Sequence, residues 1–359
     1  MTIAGPSTIE SLVEAVAQSA PAPLAIAGGG TSRPRPADAA HHPCAVLDTR
    51  AVAGITAYDP AECVVTVLAG TPVQHLADAL AAHGQYLPWD PPIAGADATV
   101  GGMIATGVSG PGRHRYGGVR DFVIGARVVD GRGRLVASGG QVVKNAAGFL
   151  LHHALVGSGG RLGVIADVSL KVFPRPEATR TIVVRGDSLA AALEAHERLR
   201  LANLDLDALD LDGPSATVSA RLAGAADALD ARAARTIAAA GHAVETHTGD
   251  AEAQHWHTHS IAWWPREGAT VKVPVTPSRL ASILAVLAPL GPCRASAGGA
   301  VVYLHSAQPL EAVGAVLLAH HLTGAVVRGA EAGRRLGVQP SPAFADRVRA
   351  TLDPDGRFR

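Results

Sequence analysis

Lysine is almost absent from this chain. Only Lys144, Lys171 and Lys272 occur among 359 residues, so arginine carries nearly all of the positive charge. Basic and acidic residues balance at 31 each, which leaves no net field to hold nucleic acid or an anionic membrane surface. Aromatic residues make up 4% of the chain. The three cysteines, Cys44, Cys63 and Cys293, are odd in number and far apart. An iron–sulfur cluster takes four thiolates, so this chain does not ligate one alone, and the scarcity of cysteine fits a reducing compartment. The N-terminus lacks a basic region followed by an apolar run, so no signal peptide is expected. The longest largely apolar uncharged run, residues 312–327, is interrupted by His320, His321 and Gly324 and is too short to span a bilayer. These absences describe a soluble, cytoplasmic globular protein, and its length suggests two domains.

What the chain has in abundance is glycine among small residues. Residues 98–121, ATVGGMIATGVSGPGRHRYGGVRD, hold glycines at 101, 102, 107, 110, 112, 117 and 118. A core element would carry bulky apolar residues on a regular period. Here Ala98, Thr99, Ala105, Thr106 and Ser109 instead leave room for a flat or extended ligand beside the backbone. Arg113, Arg115 and Arg120 follow, which suits an anionic group. A second loop of the same character, Gly28-Gly29-Gly30-Thr31-Ser32, lies upstream. Arg33-Pro34-Arg35-Pro36 forbids a helix directly after it, so a Rossmann site, whose glycines open a helix, fails on context. A nest of backbone N–H groups binds phosphate without a helix.

The order GGGTS, ATVGGM, SG, RYG, RD, KNAAG and LGVI resembles the FAD-binding domain of the vanillyl-alcohol oxidase and p-cresol methylhydroxylase class. LDTR at 47–50, YDP at 58–60, AGTP at 69–72, LP at 87–88 and SGP at 109–111 resemble the E-type FAD-binding subunit of bacterial glycolate oxidase. The resemblance covers residues 23–176. It implies an α+β fold: a two-lobed FAD-binding domain of the p-cresol methylhydroxylase type, then an α+β domain. Residues 28–32 and Thr99, Val100, Gly101 and Gly102 would clasp the pyrophosphate through backbone amides, flanked by Asp97 and Ala98. Ser109, Gly110, Tyr116 and Gly117, with Pro88 and Asp121 beside them, would lie along the isoalloxazine and ribityl. Gly163, Val164 and Ile165 would contact the adenosine end. In many relatives a histidine in the first loop attaches the flavin covalently; none stands there, so non-covalent FAD is expected. Lys144 and Asn145 match the family's KN-x-x-G stretch and are the only weak catalytic candidates. Relatives usually follow that glycine with Tyr-Asp, where this chain has Phe149-Leu150.

The elements follow from local pattern. Ser7 and Glu10 read as a capping box before the apolar stripe Ile9, Leu12, Val13, Val16. Strands are expected at 24–27, 45–48, 55–58 and 63–68. Thr71 is expected to cap a helix with Pro72 at its first position and Gly84 past its end. Strands 122–129 and 135–138 flank Asp130-Gly131-Arg132-Gly133, a hairpin signal, and 164–173 alternates. These define a first domain, 1–176, with an α/β lobe to about 85 and a mainly β lobe from about 86 to 176. In 177–359 the order strand–helix–strand–strand–helix–strand occurs twice, which would give two ferredoxin-like units sharing one antiparallel sheet. His255, His257 and His259, spaced HxHxH, would share one face of a strand. Relatives that bind metal carry a different His-rich motif with a neighbouring Gly-Asp-Gly, so no metal is expected. Trp256, Trp263 and Trp264 interleave, and packing or a flavin- or partner-facing aromatic patch are the alternatives.

The resemblance implies the FAD-binding subunit of a glycolate oxidase-like complex that oxidises a small 2-hydroxy acid, glycolate or D-lactate. It would work beside a second FAD-containing subunit and an iron–sulfur subunit, in the cytoplasm or at the inner membrane face through the complex. The alternatives are a stand-alone FAD-dependent hydroxy-acid or alcohol oxidase or dehydrogenase, and a non-catalytic scaffold that retains FAD.

Overall fold

A computed structural model describes residues 5–33, 44–92, 97–140, 150–241, 244–262, 267–339 and 341–358. Lys144, Asn145 and Phe149 lie outside these residues, as do Trp263 and Trp264.

The chain starts with the helix Ile9–Gln18, whose Ile9, Leu12 and Val16 are buried. Its cap sits one residue later than the Ser7–Glu10 spacing suggests. Thr8 Oγ1 accepts from Ser11 N (3.1 Å) and Ser11 Oγ accepts from Thr8 N (3.0 Å). A serine hydroxyl closes the box as well as a glutamate does. Strands Leu24–Ala27 and Ala45–Asp48 then pair in parallel. Ahead of the helix Val73–Ala81, Pro72 is the N-cap and makes no side-chain cap bond. Thr71 Oγ1 is engaged elsewhere, accepting from Gly54 N at 2.9 Å.

Five antiparallel strands follow in the order Ile55–Asp59, Val64–Leu68, Val164–Lys171, Val123–Val129, Leu135–Gly139. The first two, read from sequence as part of the α/β lobe, therefore share a sheet with the β-rich stretch. Val64 to Val67 are buried without a break, so this strand needs neighbours on both edges and cover on both faces. Val164–Lys171 is likewise buried from 164 to 170, where alternation had suggested one buried face. Val164 and Ala166 join the cluster of Leu12 and Phe358. Ile165, Val168 and Leu170 join the cluster around Trp89 and Phe122.

The rest of the chain builds one nine-stranded sheet. Its order is Val244–His247, Ala178–Arg185, Thr217–Gly224, Ala208–Asp212, Cys293–Ser296, Val301–Ser306, Ala269–Pro274, Thr323–Arg328, Arg335–Gly337. Each half has its fourth strand beside its first and its third beside its second, and the halves meet where Leu211 pairs with Ala295. Two ferredoxin-like units in tandem are thus present, in one antiparallel sheet. Helices Leu189–Leu201, Ala226–Ala240, Leu280–Leu287 and Leu310–Ala319 bury Leu199, Leu229, Ile283 and Leu317 in one core with it.

His255, His257 and His259 lie on the helix Gly249–Ala262, not on a strand. Helical geometry turns His257 to solvent while His255 and His259, four apart, stack at 5.8 Å and 14°. His255 Nε2 meets Ser219 Oγ at 2.9 Å, and His259 Nε2 lies 3.5 Å from the buried Asp210. Burial lowers the pKa of His255 to about 4 and also lowers that of His259. Among the described residues no helix is long and apolar enough to cross a membrane.

Candidate functional site

The strand Leu24–Ala27 ends in the glycine loop, and the helix Val100–Thr106 begins beside it. Thr99 caps that helix, its Oγ1 accepting from Gly102 N at 3.3 Å. Loop and helix approach so closely that no side chain fits between them. A Cβ on Gly29 would stand 1.5 Å from the Asp97 carbonyl oxygen, and one on Gly28 would stand 2.6 Å from Thr99 Oγ1. Gly30 adopts φ +76°, a left-handed conformation that favours glycine. The helix ends with Gly107 at φ +61°.

Between these segments lies a cavity of about 760 Å³. Its walls include Ala25 to Ser32, Arg33, Cys44 and Val46 on one side, and Thr99, Gly102, Ala105, Thr106, Gly157 and Gly159 on another. The nine-stranded sheet closes it with Ala325, Val326, Val327, Ala332, Gly333 and Arg335. The volume lies within the range of cofactor pockets, and the lining is mostly small or apolar.

Of the sequence-predicted binding residues, Gly28, Gly29, Gly30, Thr31, Ser32, Thr99 and Gly102 meet at this cavity. Ala98 lines a smaller one beside it, with Thr31, Ser32, Val108 and Arg328. The others do other work. Val100 N donates to Thr71 O (2.9 Å) and Gly101 N to Ala69 O (2.7 Å), so these two amides tie the helix to the chain below instead of pointing at a ligand. Asp97 contributes its backbone against Gly29. Ser109 is buried, accepting from Val119 N at its hydroxyl and from Tyr303 Oη at its carbonyl. Gly110 and Gly112 press on the backbone of Asp90 and Pro88. Tyr116 packs edge-on against Phe173. Gly117, at φ +87°, abuts Asp121, whose Oδ2 accepts from Gly118 N at 2.7 Å. Gly163 at φ +144° abuts Val129, and Val164 and Ile165 are core residues of the central strand. None of these residues is among those that line the cavity. Lys144 and Asn145 lie outside the described residues.

The wall from the second sheet escaped sequence reading. Its signal was present in RGAEAGRRLG at 328–337, a second meeting of glycine and arginine. Cations from that sheet hold the loops of the first unit by their carbonyls. Arg328 donates to Thr31 O, Lys272 Nζ to Gly107 O (2.8 Å) and Arg335 to Gly157 O (3.1 Å). Burial, then the neighbouring Arg113 and Arg335, lowers the Lys272 pKa to about 8. Elsewhere in the interface Arg221 bridges Asp90 and Asp207, its guanidinium 5.2 Å from the Trp256 ring centre. Burial raises the Asp90 pKa in spite of that arginine.

Residues 2–139 match the family model of the FAD binding domain. The glycolate oxidase subunit GlcE of Escherichia coli (strain K12) is 48% identical over 136 residues, 38% of this chain and 39% of that protein. A D-lactate dehydrogenase of Archaeoglobus fulgidus is 42% identical over 108 residues, 30% of this chain and 24% of that one. The glycolate oxidase subunit GlcD of Bacillus subtilis (strain 168) is 32% identical over 136 residues, 38% of this chain and 26% of that one. The matched stretches thus span about two-fifths or less of these relatives. Over 98% of its length the chain superposes on 74% of an alkyldihydroxyacetonephosphate synthase, with a TM-score of 0.70 at 16% identity, which shows a shared fold. The first 139 residues carry an FAD-binding domain, and FAD is the cofactor that this domain indicates.

Proposed function

We propose that the chain binds FAD non-covalently in the 760 Å³ cavity and serves as the FAD-binding subunit of a glycolate oxidase-like complex that oxidises a 2-hydroxy acid. The observation that carries this is the meeting of 28–32, Thr99 and Gly102 around one cavity, inside the stretch that is 48% identical to GlcE. The residues fit the cofactor's parts. Ala25, Ile26, Val46 and Val326 offer apolar walls to the rings, and the glycine loop leaves its backbone uncovered for phosphate. No histidine occurs between residues 23 and 33 for covalent attachment.

FAD, when bound, supplies acceptance of a hydride from the alcohol carbon. The chain's own residues bind, orient and exclude water. A 2-hydroxy acid also brings a carboxylate. Lys272 and Arg113 meet between the layers with no carboxylate paired to either among the described residues, and they are our candidates to receive it. The partners would be a second FAD-containing subunit and an iron–sulfur subunit, in the cytoplasm or at the inner membrane face. D-lactate is the alternative substrate, favoured by the likeness to D-lactate dehydrogenases. The domain division near residue 176 belongs to the same reading, since the two large sheets exchange no strand.

The test has two parts. Acid precipitation of the purified chain should release FAD to the supernatant; flavin retained in the pellet, or FMN in the supernatant, would refute the cofactor assignment. Glycolate or D-lactate with a dye acceptor should bleach the flavin slowly with the chain alone and rapidly once the companion subunits are added. Rapid turnover by the chain alone would favour a stand-alone dehydrogenase.

A further inference from the structure

One row of side chains crosses five strands of the large sheet. Arg294 lies opposite Tyr303, Tyr303 opposite Lys272, Lys272 opposite Ala325, and Ala325 opposite Arg335. Residues directly opposite one another project to the same face of a sheet. Here that face meets the first unit. Tyr303 Oη donates to Ser109 O (2.9 Å), Lys272 Nζ to Gly107 O (2.8 Å) and Arg335 to Gly157 O (3.1 Å). Ala325 and Arg335 also line the cavity, together with Thr106 and Gly157. Lys272 thus stands one strand from the cavity wall, and the side chain opposite it on that wall is a single methyl group.

Oxidation of a 2-hydroxy acid needs an acceptor for the hydroxyl proton, and such a group works best with a pKa near the working pH. Burial, then the charges of Arg113 and Arg335, lowers the Lys272 pKa from 10.5 to about 8. Among the described residues no carboxylate is paired with it. The groups around it hold on to their protons or are turned elsewhere. Arginines stay charged. Burial pushes the Tyr303 pKa up to about 12. Arg294, beyond Tyr303, is bound to Asp210. His114, next to Arg113, has its ring against the turn of the second sheet, where a Cβ on Gly298 would stand 2.7 Å from it.

We propose that Lys272 accepts the hydroxyl proton of the 2-hydroxy acid at this end of the cavity. The assignment rests on the cavity being the FAD site and on a 2-hydroxy acid being the substrate, and it divides the work of the two cations placed there. Arg113, always charged, receives the carboxylate. Lys272, in its neutral form, takes a hydrogen bond from the hydroxyl. The O–H bond breaks, its proton passing to Nζ while its electron pair forms the C=O bond. The α-hydrogen leaves with its own pair as the hydride that FAD accepts. A 2-oxo acid results, and the ammonium group returns its proton to solvent.

With only three lysines in the chain, Lys272 can be followed directly. In full-length protein carrying isotope-labelled lysine, the Cε resonance that disappears in Lys272→Arg should titrate near pH 8. In the assembled complex, kcat/KM for glycolate reports the free enzyme. It should rise with pH through the same value, because the neutral amine is the active form. Lys272→Arg keeps a cation for Gly107 O but cannot accept a proton. FAD content, melting temperature and KM should stay near those of the wild type, while kcat falls about 10²- to 10⁴-fold and the limb near pH 8 disappears. Lys272→Gln serves the same comparison should the bulkier arginine disturb the fold. A resonance titrating near 10.5 would overturn the proposal, and so would a pH limb that survives both substitutions. FAD content falling in step with kcat would reduce Lys272 to a docking cation and overturn it equally. A wild-type complex that oxidises neither glycolate nor D-lactate would fail the substrate reading, and this assignment with it, before any variant is made.

Discussion

Two glycines on the same cavity should respond in opposite ways to a single methyl group. At Gly29 the added carbon meets protein, 1.5 Å from the Asp97 carbonyl oxygen and 2.4 Å from its carbon. Segment 97–99 must move to admit it, and with that segment goes the Thr99 cap. Gly29→Ala should therefore destabilise the apoprotein by about 3 kcal/mol or more, the range of severe overpacking. At Gly102 the nearest atom is Thr99 Oγ1 at 3.1 Å, which yields by a few tenths of an ångström. The residue is helical, where alanine is better than glycine by about 0.5–1 kcal/mol. Apoprotein carrying Gly102→Ala should thus match the wild type within about 1 kcal/mol, but its methyl stands on the cavity wall.

A tenfold loss of FAD affinity is enough to read. With free FAD at 100 times the wild-type dissociation constant, the ligand stabilises the wild type by about 2.7 kcal/mol and a tenfold weaker variant by about 1.4 kcal/mol. The difference, about 1.3 kcal/mol, corresponds to about 2 °C in melting temperature for a chain of 359 residues. Calorimetry of each protein with and without FAD measures both effects. A full FAD-induced shift in Gly102→Ala would remove this glycine from the ligand wall. An apo Gly29→Ala as stable as the wild type would show that loop and helix do not meet as described.

Three further outcomes follow from other parts of the molecule. Arg357 is buried, its guanidinium donating to Val16 O, Gly131 O, Ala22 O and Ser19 Oγ, so Arg357→Met leaves buried acceptors unmet and should lower stability in urea by about 3–5 kcal/mol. Burial depresses the pKa of His196 to about 4, below its ordinary value near 6.5, so the unfolded chain binds a proton first as pH falls; stability present above 6.5 should decline toward pH 4, by up to about 3 kcal/mol, and His196→Leu should flatten that decline in melts between pH 7 and 4.5. Lys272→Met should leave FAD content near normal while raising the KM for glycolate about 10- to 100-fold in the assembled complex; an unchanged KM would take Lys272 out of substrate binding.

How legible each part was depends on the range of the physics that decides it. Strands 24–27 and 45–48 agree with their expected limits because short apolar runs between turn residues are local facts. The tandem ferredoxin-like units emerge from element order alone, since strand–helix–strand–strand–helix–strand has few ways to close a sheet. The HxHxH segment misled because period two is only one way to place three histidines. The residues before it, Asp250-Ala251-Glu252-Ala253-Gln254, favour a helix, and their propensity should have outweighed the spacing. Around the cavity, the sequence drew attention to both glycine segments but not to which of their amides are bonded within the protein. Val100 and Gly101 are bound to Thr71 and Ala69, partners thirty residues away. No local pattern reveals that choice, nor that Ser109 turns inward to Val119.

The contacts made by the second sheet fix how the glycine loop presents its backbone. Arg328 takes the Thr31 carbonyl, Gly329 N takes the Ser32 carbonyl at 2.9 Å, and Arg33 reaches back to Ala332 O. In a trans peptide the C=O of one residue and the N–H of the next point in opposite directions. Fixing the carbonyls of Thr31 and Ser32 on the second sheet therefore aims the N–H groups of Ser32 and Arg33 away from it. A glycine-rich loop on its own samples many orientations and would have to be ordered by its ligand, at about 1–2 kcal/mol per residue. Here that ordering comes from the other half of the chain. A scarcity of lysine fits the same arrangement, because arginine's planar fork grips a backbone carbonyl while keeping its charge near the cavity. The second sheet thus fixes the 28–32 loop by its carbonyls as well as closing the cavity.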